Sequence, residues 1–313
     1  GRTLTYAQLI GGIRLIASSL SQRGLQKGDV FAIFSPNIPE YAVAFHAVSL
    51  IGGIVTTANP LYTAEELTHQ LNDSGAKYLL TIPLFLEKAR AAAANSQVQE
   101  IFVFGEAEGA TPLASLLASN GQLPDITINP AEDLVVLPYS SGTTGLPKGV
   151  MLTHRNIVAN MAQAEGIPNM ELVTADDVVM GILPFFHIYG MVVILNMSLA
   201  RGATVVTMPR FDLEQFLELI QKHKITRVNL VPPILLALAK HPLVAKYDLS
   251  SLKELTSGAA PLSAELAEEV VQRLGCNVIQ GYGLTETSPI THVCPNFPGN
   301  IKRASVGPAI PNT

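Results

Sequence analysis

Short apolar runs rich in Val, Ile and Leu alternate along this chain with longer stretches in which apolar residues recur every three or four positions. Residues 30–34, 54–57, 78–81, 101–104, 134–137, 178–183, 204–208, 228–231, 252–257 and 277–279 read as strands. Several are apolar on both alternations, as parallel strands buried between helix layers must be. Helices are marked by their caps. Thr5 with Gln8 forms a capping box ahead of Leu9, Ile13, Ile16 and Leu20, and Thr63 with Glu66 does the same ahead of Leu67 and Leu71. Asp212 with Gln215 opens a helix whose face is Leu213, Phe216, Leu217 and Ile220, and Ser263 caps one carrying Leu266, Val270, Val271 and Leu274. This alternation predicts an α/β fold of mostly parallel sheets flanked by helices. The stretch 106–130, broken by Gly109, Pro112, Gly121 and Pro124, is the least regular and predicts an excursion between two lobes, 1–126 and 127–313, with the boundary near Thr127.

With 313 residues the chain can bury a large core. Hydrophobic residues make up 48% and charged ones 14%, against about 25% charged in an ordinary soluble domain, so some apolar surface is expected to meet a partner. The two cysteines, Cys276 and Cys294, lack metal-site spacing and read as idle thiols. A formal net charge of -5 argues against a nucleic-acid surface. No start resembles a secretory leader, which makes a cytoplasmic location the expectation. Residues 178–200 carry no Asp, Glu, Lys or Arg, but Pro184, His187 and Asn196 interrupt them. A strand, a loop and a buried helix explain that stretch better than a membrane span.

Residues 139–149 read Y-S-S-G-T-T-G-L-P-K-G, packing four Ser/Thr hydroxyls, three glycines and one lysine into eleven positions after an apolar run. Glycines let backbone N–H groups turn toward an anion, hydroxyls add donors, and Lys148 adds a full charge, so the segment reads as a phosphate-holding loop. It is not a Walker A loop, because Lys148 follows Pro147 and precedes Gly149.

A second motif, V-I-Q-G-Y-G-L-T-E at 278–286, again sets glycines after a β-type run and ends in a hydroxyl and a carboxylate. Between the two lie L-P-F-F-H-I-Y at 183–189 and S-G-A-A-P-L at 257–262. In this order the four resemble the adenylate-forming superfamily of acyl-CoA synthetases, luciferases and peptide-synthetase adenylation domains. They look most like 4-coumarate and related acyl-CoA ligases, and the resemblance extends over nearly the whole chain. It implies an ATP-dependent ligation of a small carboxylic acid to coenzyme A through an acyl-adenylate and pyrophosphate.

Physical need and resemblance assign roles together. A carboxylate attacking the α-phosphate of ATP meets a polyanion, so charge must be neutralised, and stabilising the departing pyrophosphate is the main electrostatic task. Lys148, Ser140, Ser141, Gly142, Thr143, Thr144 and Gly145 suit that pyrophosphate. Glu286 is the expected Mg²⁺ ligand, since Mg²⁺ takes one or two carboxylates with phosphate and water. The resemblance places Ala259, Gln280, Gly281, Tyr282, Gly283 and Thr285 around the adenine and α-phosphate. It gives Tyr189, Gly258, Pro289 and Ile290 to the acid pocket, with His187 orienting the incoming carboxylate. His187 is no general base, because that carboxylate is already ionised. Arg210 stands where the coumarate ligases show a lysine near CoA. Taken singly, a solvated loop, a helix-capping Glu286, a core His187 and a solvated Arg210 would be the ordinary readings.

The family continues into a small barrel and a mobile C-terminal lid with a catalytic lysine; neither is expected within these residues, and that domain would be the natural intramolecular partner. Weak turnover by these residues alone is therefore expected. A luciferase-like or carrier-loading adenylating enzyme and a non-catalytic nucleotide-binding module stand as alternatives.

Overall fold

The computed structural model describes residues 2–140, 147–297 and 299–313. The chain divides into two compact units, Gly1–Asn156 and Ile157–Thr313.

The first unit opens with helix α1 (Tyr6–Gln22), followed by β1 (Val30–Phe34), α2 (Glu40–Leu50), β2 (Ile54–Ala58), α3 (Ala64–Ser74), β3 (Ala76–Thr81), α4 (Leu86–Ala93) and β4 (Glu100–Val103). Then come β5 (Thr111–Pro112), β6 (Leu134–Ser140), β7 (Lys148–Gly149), β8 (Leu152–Thr153) and α5 (His154–Glu165), whose first turn contains the division. Both predicted capping boxes form: Thr5 Oγ1 accepts from Gln8 N at 3.2 Å, and Thr63 Oγ1 from Glu66 N at 3.2 Å. Among the described residues the strands make one sheet in the order β5-β4-β3-β1-β2-β6-β7, with β8 also on β6. All five residues of β1 are buried, as its continuous apolar run requires.

The sheet also explains where the unit ends. β5 pairs parallel with β4, and β6 pairs parallel with β2, so the irregular stretch stays within this unit and the division comes after Thr127.

The second unit adds β9 (Val178–Gly181), α6 (Met197–Ala200), β10 (Thr204–Thr207), α7 (Leu213–His223), β11 (Arg227–Leu230), α8 (Pro232–Lys240), β12 (Glu254–Ser257), α9 (Ala264–Leu274), β13 (Asn277–Gly283) and β14 (Ile290–Val293). The sheet order is β10-β9-β11-β12-β13-β14, parallel throughout except for the β13–β14 hairpin. Asp212 caps α7 and Ser263 caps α9 through N–H contacts of 2.9 and 3.2 Å. The uncharged 178–200 stretch holds β9, a π-helix (Tyr189–Asn196) and α6. No helix among the described residues is long and apolar enough to cross a membrane.

A buried ionic cluster pins the amino ends of these strands. Arg227, at the start of β11, reaches Asp177 at 3.3 Å and Glu254, at the start of β12, at 3.0 Å. Burial drives the Asp177 carboxyl up, but hydrogen bonds from Thr174 and Thr226, with Lys253 and Arg227, outweigh it and hold the group at about 2. Glu254 goes the other way, because burial dominates over its contacts with Arg227 and Asn296. With the amino ends locked, the carboxyl ends of the parallel strands are left to carry ligand loops, the usual arrangement in open α/β sheets.

Candidate active site

In the first unit, β6 leads into the glycine-rich segment and β7 leaves it. Tyr139 pairs with Gly149 and Ser140 with Lys148 in antiparallel register, so the lysine stands at the head of a short stem with its side chain exposed. A Cβ on Gly149 would lie 3.2 Å from the Tyr139 ring, so that ring rests on the glycine backbone. The Tyr139 hydroxyl donates to Asp73 on α3 at 2.6 Å. Burial and that carboxylate together raise the phenol's pKa. Ser141, Gly142, Thr143, Thr144 and Gly145 lie outside the described residues.

In the second unit, the loops after β9, β12 and β13 leave the same carboxyl edge. The turn after β9 places His187 just ahead of the π-helix and Tyr189 at its first position. Gly190 permits it, since a Cβ there would sit 2.2 Å from Pro184 O. Tyr189 N donates to His187 Nδ1 at 3.2 Å. Nδ1 is therefore the unprotonated nitrogen, and Nε2 carries the proton of a neutral imidazole. Burial lowers the pKa of this histidine, which favours the same form.

The Tyr189 hydroxyl reaches Asn229 Oδ1 on β11 at 3.2 Å and Thr256 O on β12 at 3.3 Å, spanning two adjacent strands. A Cβ on Gly258 would meet the Tyr189 ring at 2.7 Å. Tyr189 and Gly258 therefore form one wall, and Asn229 is part of its frame. Nothing in the linear pattern marked Asn229, which sits in an ordinary strand run.

Two loop residues after β12, Ala259 and Ala260, are exposed. Ala259 has φ +67°, left-handed backbone that costs an alanine about 1–2 kcal/mol. Gln280 is buried, and its carboxamide faces inward: Leu262 N donates to Oε1 at 3.3 Å, and Nε2 donates to Leu262 O at 3.1 Å and to Arg303 O.

Beyond it, β13 continues past residue 279 to Gly283 and turns back into β14. A Cβ on Gly283 would fall 2.0 Å from Pro289 O, so the turn admits only glycine there. Thr285 is buried, Glu286 is exposed, and Tyr282 leaves half of its surface exposed. Pro289 is buried and Ile290 half-buried. The Asn160 carboxamide fixes Ile290 through both main-chain groups, at 2.7 and 2.9 Å. Arg210 is exposed just after β10.

The described residues contain no cluster of three or more His, Cys, Asp or Glu able to cage a metal. An exposed carboxylate such as Glu286 fits Mg²⁺, which takes its other ligands from phosphate and water, and does not fit a protein-caged ion.

Residues 1–313 match the family described as AMP-binding enzyme. The chain belongs to that family. It is 42% identical over 318 residues to 4-coumarate–CoA ligase 1 of Petroselinum crispum, an alignment that covers 100% of this chain and 58% of that protein. The chain thus spans little more than half the length of the curated relatives it matches. Among solved structures, a long-chain-fatty-acid–CoA ligase from Archaeoglobus fulgidus matches with TM-score 0.89 and 28% identity, over 99% of this chain and 63% of that one. An anthranilate–CoA ligase in complex with anthranoyl-AMP matches with TM-score 0.89 and 25% identity, over 99% and 60%. The α/β architecture expected from the strand and helix pattern is the architecture of this family.

Proposed function

We propose that the protein is an ATP-dependent carboxylic acid:CoA ligase of the 4-coumarate type, activating a small apolar or aromatic acid as its acyl-adenylate. The observation that supports this most is the Tyr189–Gly258 wall at the carboxyl edge of the second sheet, in a chain 42% identical to a 4-coumarate–CoA ligase. A flat phenol packed against a side-chain-free backbone suits a planar or slender acid, and no acidic group follows His187 up to Ala200 to hold an amino substituent.

In this reading His187, neutral and protonated on Nε2, donates a hydrogen bond that orients the ionised substrate carboxylate without removing a proton. Tyr189, Gly258, Pro289 and Ile290 line the remainder of the acid. Lys148, with the hydroxyls and amides of residues 140–145, draws the β- and γ-phosphates and stabilises the charge that leaves as pyrophosphate. Tyr282 offers its exposed ring to the adenine, with Ala259, Gly281, Gly283 and Thr285 around the nucleotide and the buried Gln280 side chain behind them. Glu286 is the residue that would hold Mg²⁺, whose charge would offset that of the phosphates. Arg210 supplies positive charge for the phosphates of coenzyme A, the acceptor in the second half-reaction.

The test is pyrophosphate exchange into ATP across a panel of carboxylic acids. Exchange that requires an added acid is expected. Lys148→Ala and Glu286→Ala should each lower it about 100-fold. Full exchange in both variants would remove this assignment, and ATP hydrolysis without acid would mark a plain nucleotidase.

A further inference from the structure

The structure points to Gln280 as a positioning residue. We propose that its buried side chain clamps the 258–262 loop so that Ala259 is held in its left-handed conformation at the ligand face, and that it makes no ligand contact of its own. The inference rests on the adenylating function proposed above.

The β12–β13 ladder ends with the pair Ser257 and Gln280. Beyond it the main chains diverge, and the Gln280 carboxamide takes over. It pairs with both main-chain groups of Leu262 as a neighbouring strand would, then adds a third contact to Arg303 O. Arg303 is itself tied to Val278 O at 3.0 Å and to Glu268 at 3.3 Å. Both atoms of the amide are thus engaged by backbone in a buried setting, which leaves the side chain little capacity for a nucleotide.

The other end of the loop is fixed by Gly258 N donating to Leu230 O at 3.1 Å. Between these two anchors lies Ala259 at φ +67°. A residue in that conformation persists only where its surroundings over-determine it, and such strain gathers at functional surfaces. Gln280 and Gly258 supply the constraint.

Two measurements on Gln280→Met, which keeps the shape and loses the hydrogen bonds, test this. Amide hydrogen exchange at Leu262 should quicken about tenfold, while the Gly258 amide, held by Leu230, changes less. In acid-dependent pyrophosphate exchange, Gln280→Met should lower kcat/KM about tenfold, but in the Ala259→Gly background the same substitution should lower it no more than about threefold, because glycine adopts φ > 0 without the clamp. A purely structural glutamine would not show that dependence on residue 259. Unchanged exchange at Leu262 would overturn the clamp, and equal losses in both backgrounds would overturn its action through Ala259. A quickened Leu262 amide in a protein whose wild type shows no acid-dependent exchange would instead remove the adenylating function, and with it the purpose assigned to the clamp.

Discussion

Gly258→Ala tests the wall at the carboxyl edge most directly. The added methyl would stand 2.7 Å from Tyr189 Cε1 and 3.1 Å from both Cζ and the hydroxyl, where an ordinary contact begins at 3.4 Å. An unrestrained ring would swing away. This one is held at its far end by Asn229 and Thr256 and at its near end by the first turn of the π-helix. Either the ring leaves its hydrogen bonds or the loop moves off the strand end. Overpacking of this kind costs about 1–3 kcal/mol, and the hydroxyl adds about 1 kcal/mol, since it has a single proton for its two acceptors. The total, about 2–4 kcal/mol, should appear in urea denaturation. In acid-dependent exchange the KM for the acid should rise about tenfold or more while that for ATP changes little, because in the proposed site the displaced atoms border the acid. In a Tyr189→Phe background the stability loss should shrink by about 1 kcal/mol. A Gly258→Ala protein with wild-type stability and a wild-type KM for the acid would refute the packing argument.

Arg227→Ala would leave Asp177 and Glu254 buried without their shared cation, and should cost about 3–5 kcal/mol in chemical denaturation. A loss below about 1 kcal/mol would show that water reaches the cluster and screens it. The pKa of His187 is lowered in the folded protein by burial, so folding binds fewer protons there. Its contribution is full above the ordinary value of 6.5 and is lost as pH falls through the lowered one. Between about pH 7.5 and about pH 5, wild type should therefore lose more stability than His187→Gln, and equal slopes would count against the neutral tautomer. His154 is shifted in the same direction and is common to both proteins, so the comparison isolates His187.

The sequence by itself determined the elements and the chemistry available to them. Capping boxes at Thr5 and Thr63 were readable because they are satisfied within four residues, and β1 was readable because a strand buried on both faces must be apolar throughout. The glycine-bearing loops were legible as motifs because their residue types are dictated by local backbone needs, as at Gly283. What lay between distant segments was not legible. The division after Asn156 follows from β6 joining β2, a pairing that no local propensity encodes. Asn229 looks like any polar strand residue until the turn after β9 brings the Tyr189 hydroxyl to it. Gln280 carries the same amide in either role, and only the fold turns it toward Leu262 and Arg303. Short-range hydrogen bonding and apolar periodicity act through neighbours along the chain and leave a trace in the sequence, whereas the partners of a buried polar group are chosen by packing in three dimensions.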